Sequence, residues 1–363
     1  MIHQVSSQQQ QPVFGLQRSR SLRPVTLADQ VAFTGASATN KRDGEECQGI
    51  FKSFVERVMS FLLSLVPPFV YRWIERKTLY SLANAKQHKV TLEQAKQDAT
   101  LEPEEFEKVI KIRLARCIGS SLPTPDRYKK VLDQVEQVSF ESSKGGKTNA
   151  WYIAPKEGKP TVLVSFGKGW PIDGIVDFSY LIDQGYGVMA YEYPGRGHST
   201  GKPDEKRMYK SLEAASDFLA NRKNTPVSSQ IAYGISLGSA ITTEVASRRK
   251  FKAVILQSSV YSLPNLIREH VGKKIPTWLL PLHRHLQSRF ATVEKIKHVE
   301  SPLLIMHGIG DPLVGEDRAE ALFDAAKTDD DQKTLKLFDR ADHNLTHETT
   351  SKTVEQFLEQ LVS

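Results

Sequence analysis

Cysteine is scarce in this sequence: Cys47 and Cys117 are the only two in 363 residues. Two thiols are too few for a disulfide framework and lack the paired spacing of a metal site, so neither is expected. Long apolar runs are missing as well. In the most apolar region, from Ile50 onward, the longest stretch without Asp, Glu, Lys or Arg runs from Val58 to Tyr71, fourteen residues with Pro67 and Pro68 inside it. A helix that spans a bilayer needs about 20 apolar residues, and proline breaks it. The opening residues "MIHQVSSQQQQPVFGLQRSRSLRP" have neither the apolar core nor the cleavage pattern of a secretory signal. These absences predict a cytoplasmic protein with no transmembrane span. The net charge of +7 comes with no recognition motif and no basic stripe interleaved with aromatics, so no nucleic-acid partner is expected.

What is present falls into three parts. Residues 1–48 are polar, glutamine-rich and dotted with arginine, the composition of a disordered tail. Residues 49–130 read as a helical extension. Its segment Phe61–Trp73 is aromatic, and Arg72, Arg76 and Lys77 lie in or just beyond it, which suits a helix docked on the main domain or lying on a membrane surface. The stretch "GSSLPTPDRY" reads as a proline-marked linker. From residue 131 to 363 the pattern alternates. "EQVSFES" and "TNAWYIAP" predict an opening strand pair; "PTVLVSFG", "GYGVMAYEYPG", "QIAYGIS", "FKAVILQSS", "SPLLIMHG" and "KTLKLFD" predict strands interleaved with helical segments. That order implies a mostly parallel eight-stranded α/β sheet with helices on both faces, and a site at the carboxyl ends of its strands.

One motif stands at such an end. Ser236 lies between Gly234 and Gly238, where the strand "QIAYGIS" turns into the helix "SLGSAITTEVA". Small neighbours allow a sharp turn that pushes the hydroxyl above the sheet. Leu237 would then present its backbone N–H at the helix start, suited to a developing oxyanion. A serine nucleophile needs a base, and the base an orienting acid, in the chain order Ser, acid, His. Asp311 follows the strand "SPLLIMHG" and His343 follows "KTLKLFD", so both fit that order and edge. His307 reads as a structural strand-end residue. Taken singly, each would be an ordinary turn aspartate or loop histidine.

At these residues the chain resembles the α/β-hydrolase superfamily, and within it the branch of serine-aminopeptidase-like proteins and membrane-associated protein depalmitoylases. The stretches that carry the likeness are "YEYPGRGHSTGKPDEKRMYKSLEAASDFL", "IAYGISLGSA", "AVILQSS", "SPLLIMHGIGDPLV" and "ADHN". The resemblance implies hydrolysis of an ester, thioester or, less often, an amide through an acyl-enzyme, with no metal or organic cofactor. By position it makes the Lys168 backbone N–H the second oxyanion donor. The sequence departs from the pattern at Phe166, where such proteins usually carry histidine, and at Asp342, where glycine commonly precedes the histidine.

Between the sixth and seventh strands lies an insert over 260–300, which the resemblance makes a helical cap. From Arg268 to Glu300 it holds seven Lys or Arg against three Glu, together with Trp278, Leu279 and Phe290. A basic lid with an apolar underside suits an acylated substrate, for which Phe166, Trp170, Trp278 and Leu279 are candidate contacts. The expected function is therefore a serine hydrolase of esterase or thioesterase type, with peripheral membrane contact through Phe61–Trp73. A peptidase on the same residues and an inactive hydrolase-fold binding protein are the alternatives, as is a membrane tether built on the first 130 residues.

Overall fold

The computed structural model describes residues 89–114, 122–143, 145–271 and 288–361. The polar tail, the Phe61–Trp73 segment, both cysteines, and Trp278 and Leu279 lie outside the described residues.

Among the described residues three helices come first: α1 (Leu92–Asp98), α2 (Pro103–Leu114) and α3 (Pro125–Leu132). The stretch expected to be a linker thus holds the start of α3. Its prolines had suggested a break, but Pro125 occupies the first turn, where no amide hydrogen is needed, and the Thr124 hydroxyl accepts from Arg127 N.

The sheet strands are β1 (Glu136–Ser143), β2 (Gly146–Ile153), β3 (Thr161–Ser165), β4 (Gly187–Tyr191), β5 (Gln230–Ile235), β6 (Ala253–Gln257), β7 (Leu303–Gly308) and β8 (Lys333–Phe338). They are ordered β1-β2-β4-β3-β5-β6-β7-β8. β2 runs antiparallel to β1 and β4, and every other neighbouring pair is parallel. The helices between and after the strands are α4 (Ser179–Asp183), α5 (Glu205–Arg222), α6 (Leu237–Ala246), α7 (Leu263–Val271), α8 (Thr292–Lys295), α9 (Glu316–Ala325) and α10 (His347–Gln360).

β3, β5, β6 and β7 are buried along their whole length, which explains their uninterrupted apolar sequences. Alternate side chains enter two cores. Val162, Val164, Ile231 and Tyr233 face one, shared with Phe106 and Ile110 of α2, Tyr128 of α3 and Val354 of α10. Leu163, Ala232, Leu256 and Ile305 face the other, shared with Leu212 of α5, Ile241 of α6 and Leu322 of α9. The N-terminal helices are therefore part of a main core. In register, Ser165 pairs with Gly234, Ile235 with Gln257, Gln257 with Met306, and Gly308 with Phe338. The carboxyl ends of β3 and β5–β8 thus share one edge, and the loops bearing Lys168, Ser236, Asp311 and His343 all leave from it.

Candidate active site

Ser236 joins β5 to α6 with φ +51° and ψ −115°, a conformation rare for a residue with a side chain. Close packing enforces it. A Cβ on Gly238 would lie 1.8 Å from the Ser165 carbonyl oxygen, and one on Gly234 would lie 2.6 Å from Ser239 Cα. Only glycine fits at either place. Although Ser236 stands at the N-cap, its side chain caps nothing. The Ser236 carbonyl accepts from Ser239 twice, from its backbone N–H at 3.0 Å and from its hydroxyl at 2.5 Å.

The freed hydroxyl of Ser236 meets His343. Its Oγ is 2.9 Å from His343 Nε2, and His343 Nδ1 is 2.7 Å from Asp311 Oδ2. The other Asp311 oxygen accepts the backbone N–H groups of Leu313 at 2.7 Å and Val314 at 3.0 Å. Burial alone would push this carboxyl up. The hydrogen bond and charge of His343, with the two backbone donors, outweigh burial and hold it below the ordinary aspartate value. His307 is fully buried behind it, its Nε2 2.8 Å from Val314 O and 3.4 Å from Asp311 Oδ2, a brace for the acid loop.

The histidine loop is fixed by contacts the sequence did not single out. Ser258, itself at φ +49°, donates its hydroxyl to His343 O at 2.7 Å. Gly310 N donates to Ala341 O at 2.9 Å, tying the acid loop to the histidine loop. Asp342 is exposed and accepts Asn344 N at 2.8 Å, so it shapes the turn.

The β3 loop lies against the serine. A Cβ on Gly167 would come 3.3 Å from Ser236 Cβ. Phe166 does not line the site: its ring is buried, stacked on Trp170 at 5.3 Å and near Phe178 at 6.4 Å. That corrects its place among the candidate substrate contacts. An aromatic ring at this position braces the loop through apolar packing, and Tyr193 adds a hydroxyl bond to Phe166 O at 2.6 Å.

A cavity of about 310 Å³ opens on Ser236. Lys168, Trp170, Leu237 and His343 line it, with the apolar side chains of Ile235, Val260, Leu263, Leu266, Phe290 and Leu313. The segment between β6 and β7 contributes Leu263 and Leu266 from α7 and Phe290 from the irregular stretch ahead of α8. Two backbone bonds to Glu205 pin that stretch, from Arg289 N at 2.7 Å and Phe290 N at 2.9 Å. Among the described residues no cluster of His, Cys, Asp and Glu could hold a metal ion.

The glycine loop Gly195–Gly201 closes over Glu192. Glu192 Oε2 accepts His198 N at 2.7 Å and Asn149 Nδ2 at 3.0 Å. Burial pushes this carboxyl up to about 7, against the pull of those donors.

With this geometry in view, residues 176–362, just over half of the chain, match the prolyl oligopeptidase family. The chain belongs to that family. It is thereby an α/β hydrolase, as the sheet order and flanking helices also indicate. The family match takes in Ser236, Asp311 and His343 and begins after the β3 loop. Among curated relatives, the chain is 28% identical over 199 residues to alpha/beta hydrolase domain-containing protein 17C of Xenopus tropicalis, covering 54% of this chain and 61% of that protein. It is 28% identical over 195 residues to protein 17B of the same series from Homo sapiens, covering 53% and 64%. The matches thus span about three fifths of these relatives' length. Among solved structures, an esterase from Pyrococcus furiosus superposes with a TM-score of 0.53 at 18% identity, covering 68% of this chain and 97% of that one. Est1E from Butyrivibrio proteoclasticus gives 0.51 at 18% identity, covering 62% and 98%. At such identities the likeness speaks to the fold, which is that of the α/β hydrolases.

Proposed function

We propose that this family member is a serine hydrolase that cleaves carboxylic esters or thioesters of acyl type. The observation that carries the reading is the unbroken relay from Ser236 Oγ to His343 to Asp311, with contacts of 2.9 and 2.7 Å. Asp311 holds the His343 proton on Nδ1, leaving Nε2 free to accept. As Ser236 Oγ attacks the acyl carbon, its proton passes to Nε2 and the carbonyl oxygen becomes an oxyanion. The N–H of Leu237, which as the first residue of α6 has no partner inside the helix, and the N–H of Lys168 receive that charge. His343 then returns the proton to the leaving alkoxide or thiolate, and the acyl-enzyme forms. Water, deprotonated by His343, releases the acid and restores Ser236.

The apolar lining of the cavity suits the acyl part, since burial of each methylene contributes about 0.8 kcal/mol. A second reading, a peptidase or amidase, draws on the family's name. It asks His343 to protonate a far more basic leaving amine. Turnover of matched acyl esters, acyl thioesters and peptide amides separates the two. Ester and thioester rates well above the amide rate are expected; a preference for the amide would overturn the esterase reading.

A further inference from the structure

We infer that Arg113 and Tyr128, on the N-terminal helices, are positioning residues for the oxyanion loop. They grip Asp173, and through it they hold Gly167 and Lys168 in place beside Ser236. The catalytic consequence rests on the serine-hydrolase reading above; the mechanical linkage does not.

The grip is a buried cluster of charges drawn from four elements. Asp173, in the 3-10 turn Ile172–Phe178, is fully buried. Its Oδ2 accepts the Tyr128 hydroxyl at 2.6 Å and Arg113 Nη1 at 3.1 Å. The other arm of the Arg113 guanidinium pairs with Asp98 at the end of α1. A planar fork can serve two carboxylates at once; a lysine ammonium is a single point and does so poorly. Arg113, Asp98 and Asp173 are at most 13% exposed, so removing Arg113 leaves two buried carboxyl groups without their ion-pair partner. The grip on Asp173 runs through Oδ2 alone, since its Oδ1 is buried without a hydrogen-bond partner.

From Asp173 the path to the serine is continuous. The next residue, Gly174, packs so closely that a Cβ there would touch the rings of both Phe166 and Trp170 at 3.4 Å. Those rings stack on each other and bracket the loop 167–169. Trp170 N closes the loop by bonding Gly167 O at 3.4 Å, and Gly167 rests on Ser236 Cβ. A second tie runs from α3 to the same segment, Arg127 Nε to Ser179 Oγ at 2.6 Å. The Phe166 ring stacks but cannot donate a hydrogen bond, so besides the Tyr193 bond to its carbonyl the loop is backed by what lies behind its rings. Behind them is the turn that Arg113 and Tyr128 hold.

The test uses the full chain with Tyr128→Phe and Arg113→Gln, and with Lys129→Ala, an exposed residue of α3, as the control. Steady-state turnover of an activated acyl ester gives kcat and KM. Hydrogen exchange read by mass spectrometry gives protection over 167–178, with 231–235 and 253–257 as references. The inference expects kcat to fall roughly tenfold or more with KM little changed, as for a displaced oxyanion donor. It also expects faster exchange confined to 167–178, and no change in Lys129→Ala. If Arg113→Gln does not fold, Tyr128→Phe, which loses one hydroxyl, carries the test. A folded Tyr128→Phe with wild-type kcat, or with wild-type exchange over 167–178, overturns the inference. A wild type that turns over no ester would count against the hydrolase reading instead, and exchange alone would then decide whether the cluster holds the loop.

Discussion

Ser236 occupies a backbone conformation that few serines adopt, and the two glycines beside it exist because β3 and α6 leave no room for a Cβ. That packing has a local signature, so it is legible in five residues. Asp311 and His343 are legible through chain order and their place after strand ends. Their supports are not. Ser258 reaches the His343 carbonyl across 85 residues and Tyr193 reaches Phe166 across 27; no local pattern marks a hydroxyl that bonds a distant backbone oxygen. The proposed role of Asp311 gives a sharp expectation. In Asp311→Asn the amide oxygen keeps the Leu313 and Val314 donors, which turns the NH2 toward His343 Nδ1. The imidazole must then carry its proton on Nε2, facing Ser236, where it cannot accept. A fall in kcat of about 10⁴-fold, with the fold intact by circular dichroism, is expected from steady-state kinetics. A loss of less than tenfold would remove Asp311 from the relay.

Elements differ in how far sequence reveals them. The central strands are apolar throughout because both faces are covered, and they stand out. The 3-10 turn at Ile172–Phe178 and the short α4 are hidden by Pro171, Asp173, Gly174 and Asp177, which look like loop chemistry; buried Asp173 is met by Arg113, 60 residues earlier, and Tyr128, 45 residues earlier. Helix α3 was masked by the same prolines that start it. The loop Gly195–Gly201 lies within the stretch that opens "YEYPGRGHSTG", while its physical purpose lies in Glu192 beneath it. A Cβ on Gly197 would lie 1.7 Å from Glu192 Oε1, so the loop can close over the carboxyl only as glycine. The folded carboxyl titrates near 7 and the unfolded one near 4.5. Between those values the unfolded chain sheds a proton that the folded one keeps. Its contribution to stability is complete below 4.5 and lost as pH rises to about 7, on the order of 3 kcal/mol. Denaturant titrations should show wild type losing stability relative to Glu192→Gln over that window. A difference independent of pH would show that Glu192 is ionised in the folded state.

At the scale of the whole molecule, the N-terminal helices share the main core and carry a cluster that reaches toward the site. This was hidden from the sequence because pairing between distant segments has no periodicity to betray it. No helix among the described residues is long and apolar enough to cross a membrane. We propose that contact with a membrane is peripheral, through the aromatic and basic segment Phe61–Trp73. Flotation with anionic vesicles should retain wild-type protein and lose Phe61→Asp. Equal partitioning of the two would remove that segment from the account.

The central claim, an activated Ser236, is tested most directly by labelling the purified protein with a fluorophosphonate, which reacts with activated serines. Wild type should label, and Ser236→Ala and His343→Ala should not. A well-folded wild type that stays unlabelled, or a Ser236→Ala variant that labels as wild type does, would contradict it.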